Sequence, residues 1–246
     1  VKNTIRLLVL LTFILGGFQG LRGQEADQAE TPWTATAGLG LMATSGNSDI
    51  TNLALTFQAV KEMAKSKWIN NANLAYASTD GDETANKGGF KTQYDYSQTK
   101  HFFYFGKFGV EFDKFTNLDL RTSPGAGVGY VLVKDEKMAL STSVGANIVT
   151  DFFGDDTKDT RGMLSMFQEW SYNLTSTATL YQNFNIQNNF EDFGDYLIDV
   201  EVSISSKISE ALSLKASLLE KYDSTPFSED LKNNDLTFIT SLTYTI

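Results

Sequence analysis

The sequence predicts an all-β protein: an antiparallel transmembrane β-barrel of about 12 strands, preceded by a cleaved signal peptide. Three observations predict it. From Thr34 to Ile246 apolar residues recur at every second position, the sign of strands with two unlike faces. The alternating stretches run to about 11–14 residues, longer than the usual strand of roughly five or six and long enough for the 9–11 or so that span a membrane. The connections alternate between tight turns and longer polar segments, as in outer-membrane barrels.

Taken in order, residues 1–23 read as the signal peptide. Lys2 and Arg6 begin it, Leu7 to Phe18 is apolar, and Gly20 and Gly23 supply small residues before polar QEADQAE. The apolar run is too short for a spanning helix. Residues 24–33 form a short periplasmic segment and 34–246 the barrel. Strands are expected near 34–44, 50–61, 67–78, 88–98, 101–114, 122–133, 138–149, 161–172, 174–187, 195–206, 211–223 and 234–246. The turns near MAKS, QTK, VKDEK, YNLT and KISE are tight and would face the periplasm, with both termini. TSGNSD, STDGDETANK, KFTNLDLR, DFFGDDTKDT, NNFEDFGD and DSTPFSEDLKN are read as the longer outer loops.

Alternation alone does not say which face is outside. The polar face carries Lys91, Asp95, Lys107, Glu111, Asp199, Glu201, Lys215 and Lys221 among Gly, Ser, Thr and Asn, which suits a hydrated lumen. On the apolar face, Trp68, Tyr96, Phe102, Tyr104, Tyr130, Trp170, Tyr172 and Tyr244 cluster near the short turns. Tyr76, Phe112, Tyr196 and Tyr222 cluster near the long connections. Two such belts match interfacial girdles. Gly125, Gly127 and Gly129 share the lumen parity and leave one strand bare. Such a strand invites a long neighbouring side chain, an inward-folded loop, tight curvature or a ligand.

Composition narrows the chemistry. The chain has 246 residues, no cysteine and one histidine, which excludes disulfides, thiolate metal sites and a cysteine nucleophile. Without the leader, 17 basic residues face 30 acidic ones, a net charge of −13; this argues against a nucleic-acid surface. His101 lies beside a short turn with no nucleophile motif, so no catalytic residue and no cofactor are assigned. Of the acidic loops, Asp80, Asp82 and Glu83, then Asp151, Asp155, Asp156 and Asp159, then Glu191, Asp192 and Asp195 offer oxygen ligands. None follows the twelve-residue calcium-loop pattern. Asp155, Asp156 and Asp159 are the weak metal candidates. The candidate lumen charges are Lys91, Asp95, Lys107, Glu111, Asp113, Arg121, Glu201 and Lys215. The pairings expected are Lys91 with Asp95, Lys107 with Glu111, Lys215 with Glu201 and Asp113 with Arg121.

TSGNSD at Thr44–Asp49, Tyr94-Asp95-Tyr96, and EFDKFTNLDLRTSPGAGVGY at Glu111–Tyr130 resemble the salt-induced outer-membrane protein family, with its YdiY-like domain of unknown function. Asp113, Phe115, Leu118, Asp119, Arg121 and the three alternating glycines carry the likeness, which covers nearly all of the mature chain. The resemblance implies an outer-membrane barrel of Gram-negative bacteria with no established activity. The chain departs from outer-membrane barrels in ending Tyr244-Thr245-Ile246 rather than on an aromatic residue. Expected partners are outer-membrane lipids, lipopolysaccharide and the assembly machinery; the barrel is expected to be a monomer. The leading reading is a non-enzymatic barrel, either structural or a narrow passive channel for small solutes and ions. A lipid-acting outer-membrane enzyme using His101 and a secreted soluble β-protein with an apolar ligand stay open.

Overall fold

The computed structural model describes residues 32–44, 50–226 and 232–246. The expected signal peptide, residues 45–49 of TSGNSD and residues 227–231 of the last long connection lie outside the described residues. Strands β1 (Thr34–Thr44), β2 (Ile50–Glu62), β3 (Ser66–Thr79), β4 (Asp82–Ser97) and β5 (Phe102–Asp113) lead to a 3-10 turn at Lys114–Thr116. Then come β6 (Leu118–Thr122), β7 (Gly125–Lys134), β8 (Met138–Phe153) and β9 (Lys158–Asn173). The chain finishes with β10 (Ala178–Asn189), β11 (Tyr196–Lys207), β12 (Leu212–Asp223) and β13 (Asn234–Thr245).

The strands pair antiparallel with their chain neighbours, and β13 pairs back onto β1, closing the cylinder. β6 and β7 are two lengths of one wall strand, since both lie between β5 and β8. Pro124 separates them. It has no N–H to give to the ladder, but its carbonyl still accepts from Ile148 N–H at 3.0 Å, and Ser123 exchanges both backbone bonds with Gly109. The 13 segments therefore make a barrel of twelve wall strands.

The seam differs from the other pairings. β1 registers with β2 along its whole length, from Thr34↔Val60 to Thr44↔Ile50. Against β13 its register runs from Thr36↔Thr245 to Leu39↔Leu242, and Ala35 and Ile246 exchange both backbone bonds next to it.

Exposure decides which face is outside. Leu41, Leu55, Val144, Met166, Val202, Ile204, Leu214, Leu218 and Phe238 are all exposed, and all sit on the apolar parity. Buried apolar side chains among the described residues are few: Ala59, Phe105, Leu118, Val149, Met163 and Leu197. A water-soluble domain of this size cannot stand on so small a core while displaying so much oil. A closed strand ladder in lipid can, because its backbone polar groups are satisfied between strands and its outer face meets hydrocarbon. The apolar interior that a soluble ligand-binder requires is replaced by a polar lumen.

The aromatic belts cap both ends of the band. Trp170 stacks on Tyr172 at 6.0 Å between centroids near the short turns, and Tyr196 on Tyr222 at 5.6 Å near the far end. Trp68 gives its indole N–H to Thr92 Oγ1 at 2.8 Å, and Thr92 passes its own hydrogen to Asn70 Oδ1. His101 is a rim residue here: its Nδ1 lies 3.0 Å from the Val131 carbonyl and its ring stacks on Tyr130.

Two far-end connections are much shorter than the sequence reading expects. STDGDETANK is mostly strand, with a tight turn at Asp80 (φ 53°) and Gly81 (φ 88°). Asp-Gly with two positive φ angles matches the turn whose twist suits a hairpin. DFFGDDTKDT likewise closes between Phe153 and Lys158, so β4, β8 and β9 each reach 16 residues. Polar residues near these tips hide the strand because alternation loses its apolar half beyond the lipid.

Candidate functional site: a charged bore

Strand parity aims every candidate charge inward. On β5 the inward set is Phe103, Phe105, Lys107, Gly109, Glu111 and Asp113, while Tyr104 and Phe108 are exposed on the outside. β7 faces β5 with its bare glycines, and the register sets Lys107 opposite Gly125, Phe105 opposite Gly127 and Phe103 opposite Gly129. A Cβ on Gly129 would run into the Phe103 ring, and one on Gly127 into Phe105. A Cβ on Gly125 would lie 3.1 Å from Lys107 Cε. The glycine run is therefore a trough in which three β5 side chains lie flat along the wall. Lys107 crosses it to reach Ser165 Oγ of β9 at 3.4 Å, with its ammonium 5.9 Å from the Phe105 centroid.

Ion pairs cross the bore, and Lys87 of β4 lies 3.7 Å from Asp235 of β13, with three wall strands between them. Lys221 of β12 gives a hydrogen to Glu111 Oε2 of β5 at 3.2 Å. These strands stand half a circumference apart, with five wall strands between them in either direction. The two walls must therefore approach to within the joint reach of a lysine and a glutamate. Lys91 of β4 takes the other oxygen of Glu111 at 2.7 Å. Both lysine side chains are 55% exposed although they lie inside the cylinder, whereas Glu111 is 18% exposed. Water thus reaches the ammonium groups around a covered carboxylate. Asp199 of β11 lies opposite Lys221 in register, on the same inward parity.

Beyond this bridge, toward the far end, one wall is packed. Arg121 of β6 makes a two-pronged bond to Asp151 of β8, at 2.6 and 2.7 Å. Arg161 of β9 bonds the same Asp151 at 2.9 Å and Asp195 at 2.9 Å. Asp151 is 1% exposed. The planar guanidinium suits such paired recognition, and a buried carboxylate needs it. Beside this lattice Val149, Met163 and Leu197 form a small buried apolar cluster. Burial pushes the Asp195 carboxyl up, but hydrogen bonds from Thr225 and Asn189 and the charge of Arg161 outweigh it. The group is held below its ordinary value.

Of the four pairs expected among the candidate charges, the structure forms Lys215 with Glu201 and replaces the other three. Lys215 and Glu201 meet at 2.8 Å. Lys91 and Asp95 share β4, and Lys107 and Glu111 share β5; four residues along a strand is about 13 Å, beyond any ion pair. Asp95 instead accepts from Gln93 at 2.8 Å. Arg121 lies opposite Glu111 in register but bonds Asp151, while Asp113 lies 3.8 Å from Lys87 and caps Phe115 N–H.

Asp151, Arg161 and Asp195 escape the sequence reading as lumen residues. The signal was present: each lies two residues outward from Val149, Met163 or Leu197 on the inward parity.

The weak metal candidates do not converge. Asp155 accepts from Thr157 N–H and Oγ1, which lowers its pKa. Asp156 adopts φ 65° in the turn, and Asp159 pairs with Arg161 at 3.0 Å. Among the described residues no three His, Asp or Glu side chains gather to hold a metal ion. Glu83 at the β3–β4 tip binds Lys114, and hydrogen bonds from Lys114 and Asn86 lower its pKa.

Solved structures share this architecture. The NanC porin aligns with a TM-score of 0.52 at 8% identity, covering 87% of this chain and 100% of its own. The COG4313 outer membrane channel from Pseudomonas putida F1 aligns with a TM-score of 0.50 at 10% identity, covering 92% of this chain and 99% of its own. At that identity the likeness is one of fold. No curated protein matches the sequence. The family described as "Protein of unknown function, DUF481" matches residues 37–246, and the chain belongs to that family.

Proposed function

We propose that this barrel resides in the bacterial outer membrane as a monomer and acts as a narrow passive channel for small hydrophilic solutes and ions, with no catalysis of its own. The observation that carries this reading is the hydrated bridge Lys91–Glu111–Lys221. It narrows a polar bore while leaving both ammonium groups open to water. In a purely structural barrel of this width, packed side chains would be expected at that level. The mechanism is diffusion through a short constriction where wall charges set which solutes pass. The short turns and both termini face the periplasm in this reading. The outer face meets lipid and lipopolysaccharide, and assembly uses the outer-membrane insertion machinery.

The test is single-channel recording on the refolded protein in planar bilayers. Small, steady conductance steps are expected, and Lys221→Ala should enlarge them by removing the strut across the bore. Absence of conductance at every voltage overturns the proposal and leaves a structural barrel.

A further inference from the structure

We infer that the constriction is an anion-selective filter built by Lys91, Lys107 and Lys221, and that small anions are the permeant class. This rests on the channel reading. The first support is what a passing ion meets. Glu111 is clamped between two lysines and 18% exposed, while each clamping lysine is 55% exposed. The carboxylate is screened and the ammonium groups face the water.

The second support is Lys107. Among the described residues it makes no ion pair; a neutral hydroxyl, Ser165 Oγ at 3.4 Å, is its hydrogen-bond acceptor. The glycine at 125 gives it the trough in which it lies. The wall thus holds a cation without a bonded counter-charge beside the clamp.

The third support is how the neighbouring acids are spent. Asp151 and Asp195 are bound by arginines, Asp113 and Asp235 share Lys87 at 3.8 and 3.7 Å, and Glu201 is held by Lys215. At the level of the clamp the three lysines stand against Glu111, Asp199 and Asp235; the two aspartates flank Lys221 in register, Asp235 lies 3.7 Å from Lys87, and Asp199 accepts a hydrogen from Asn185 at 3.1 Å. Lysine rings favour anions in the way carboxylate rings favour cations.

The experiment is the reversal potential of the refolded channel under a potassium chloride gradient. Chloride should be preferred over potassium by roughly 25-fold, since one unbalanced positive charge about 4 Å away in water favours the anion about fivefold and disfavours the cation as much. Lys107→Glu should invert the preference. Lys91→Gln, at a half-exposed side chain that packs little, should reduce it toward unity, so a folding failure of the first variant leaves the test intact. A conducting wild-type channel that prefers potassium, or whose preference neither variant moves, overturns this inference and leaves the channel reading standing. A protein that never conducts overturns the channel reading instead.

Discussion

Two walls of the same cylinder are built from the same alternation and end in opposite states. From β8 to β11, inward side chains are packed: Asp151, Met163, Val149, Ser165, Leu197 and Ser203 are all buried. From β2 to β4, inward Thr56, Gln58 and Lys91 are exposed, and Gln58 reaches only its neighbour Asn71 at 2.9 Å. The difference teaches that inward parity selects polarity, whereas packing depends on what stands next to it. Two arginines sharing one aspartate draw three strands together. Short amides and hydroxyls hold no neighbour across the bore, and water takes the space.

Breaking the packed wall should have the largest effect. Asp151→Ala leaves Arg121 and Arg161 without their shared acceptor in a buried site, which costs about 3–5 kcal/mol. Thermal unfolding in detergent, followed by circular dichroism, should show a large drop in midpoint. Gln58→Ala on the hydrated wall should stay within about 0.5 kcal/mol. Equal losses would mean that the two walls are equivalent.

A smaller effect is expected where the trough is filled. Gly129→Val forces the Phe103 ring off the wall, at about 1–3 kcal/mol of overpacking. The displaced ring also enters the bore, so conductance should fall together with stability. Phe103→Ala in the same chain should restore both, and failure of that rescue would separate the glycine from the ring it accommodates.

The smallest expected effect sharpens the electrostatic side of the comparison. Asp195 has a lowered pKa in the folded barrel, so its stabilising contribution is complete above the unfolded value of about 3.9 and is lost as pH falls through the folded one. Acid titration of the unfolding midpoint should steepen below about pH 4 in the parent protein and flatten in Asp195→Asn. An identical slope in both would show that Asp195 does not report on the lattice.

The fold was legible because lipid and lumen impose the same two-residue rhythm on every strand. Leu214, Ala216 and Leu218 against Ser213, Lys215 and Ser217 already separate the faces. Strand tips were less legible. Above the lipid both faces become polar, and Asp80-Gly81 read as loop when it is a hairpin turn. The lumen charges were legible as a set through parity. Of their partners, the neighbouring-strand pair Lys215 with Glu201 was legible; Lys221 meets Glu111 across the cylinder, and that contact depends on strand stagger and on the width of the ring. No local pattern encodes either. The glycine trough lay between these cases: bare parity announced that something approaches closely, and the structure identifies Phe103, Phe105 and Lys107.

The abbreviated register between β1 and β13 has a bearing on how the ring can part. Every other pair of wall strands must shed a long ladder to separate, whereas the first and last strands release each other after losing a few rungs. The barrel therefore carries a zip, located where its first and last strands meet, and lateral parting of the wall is cheapest along that line.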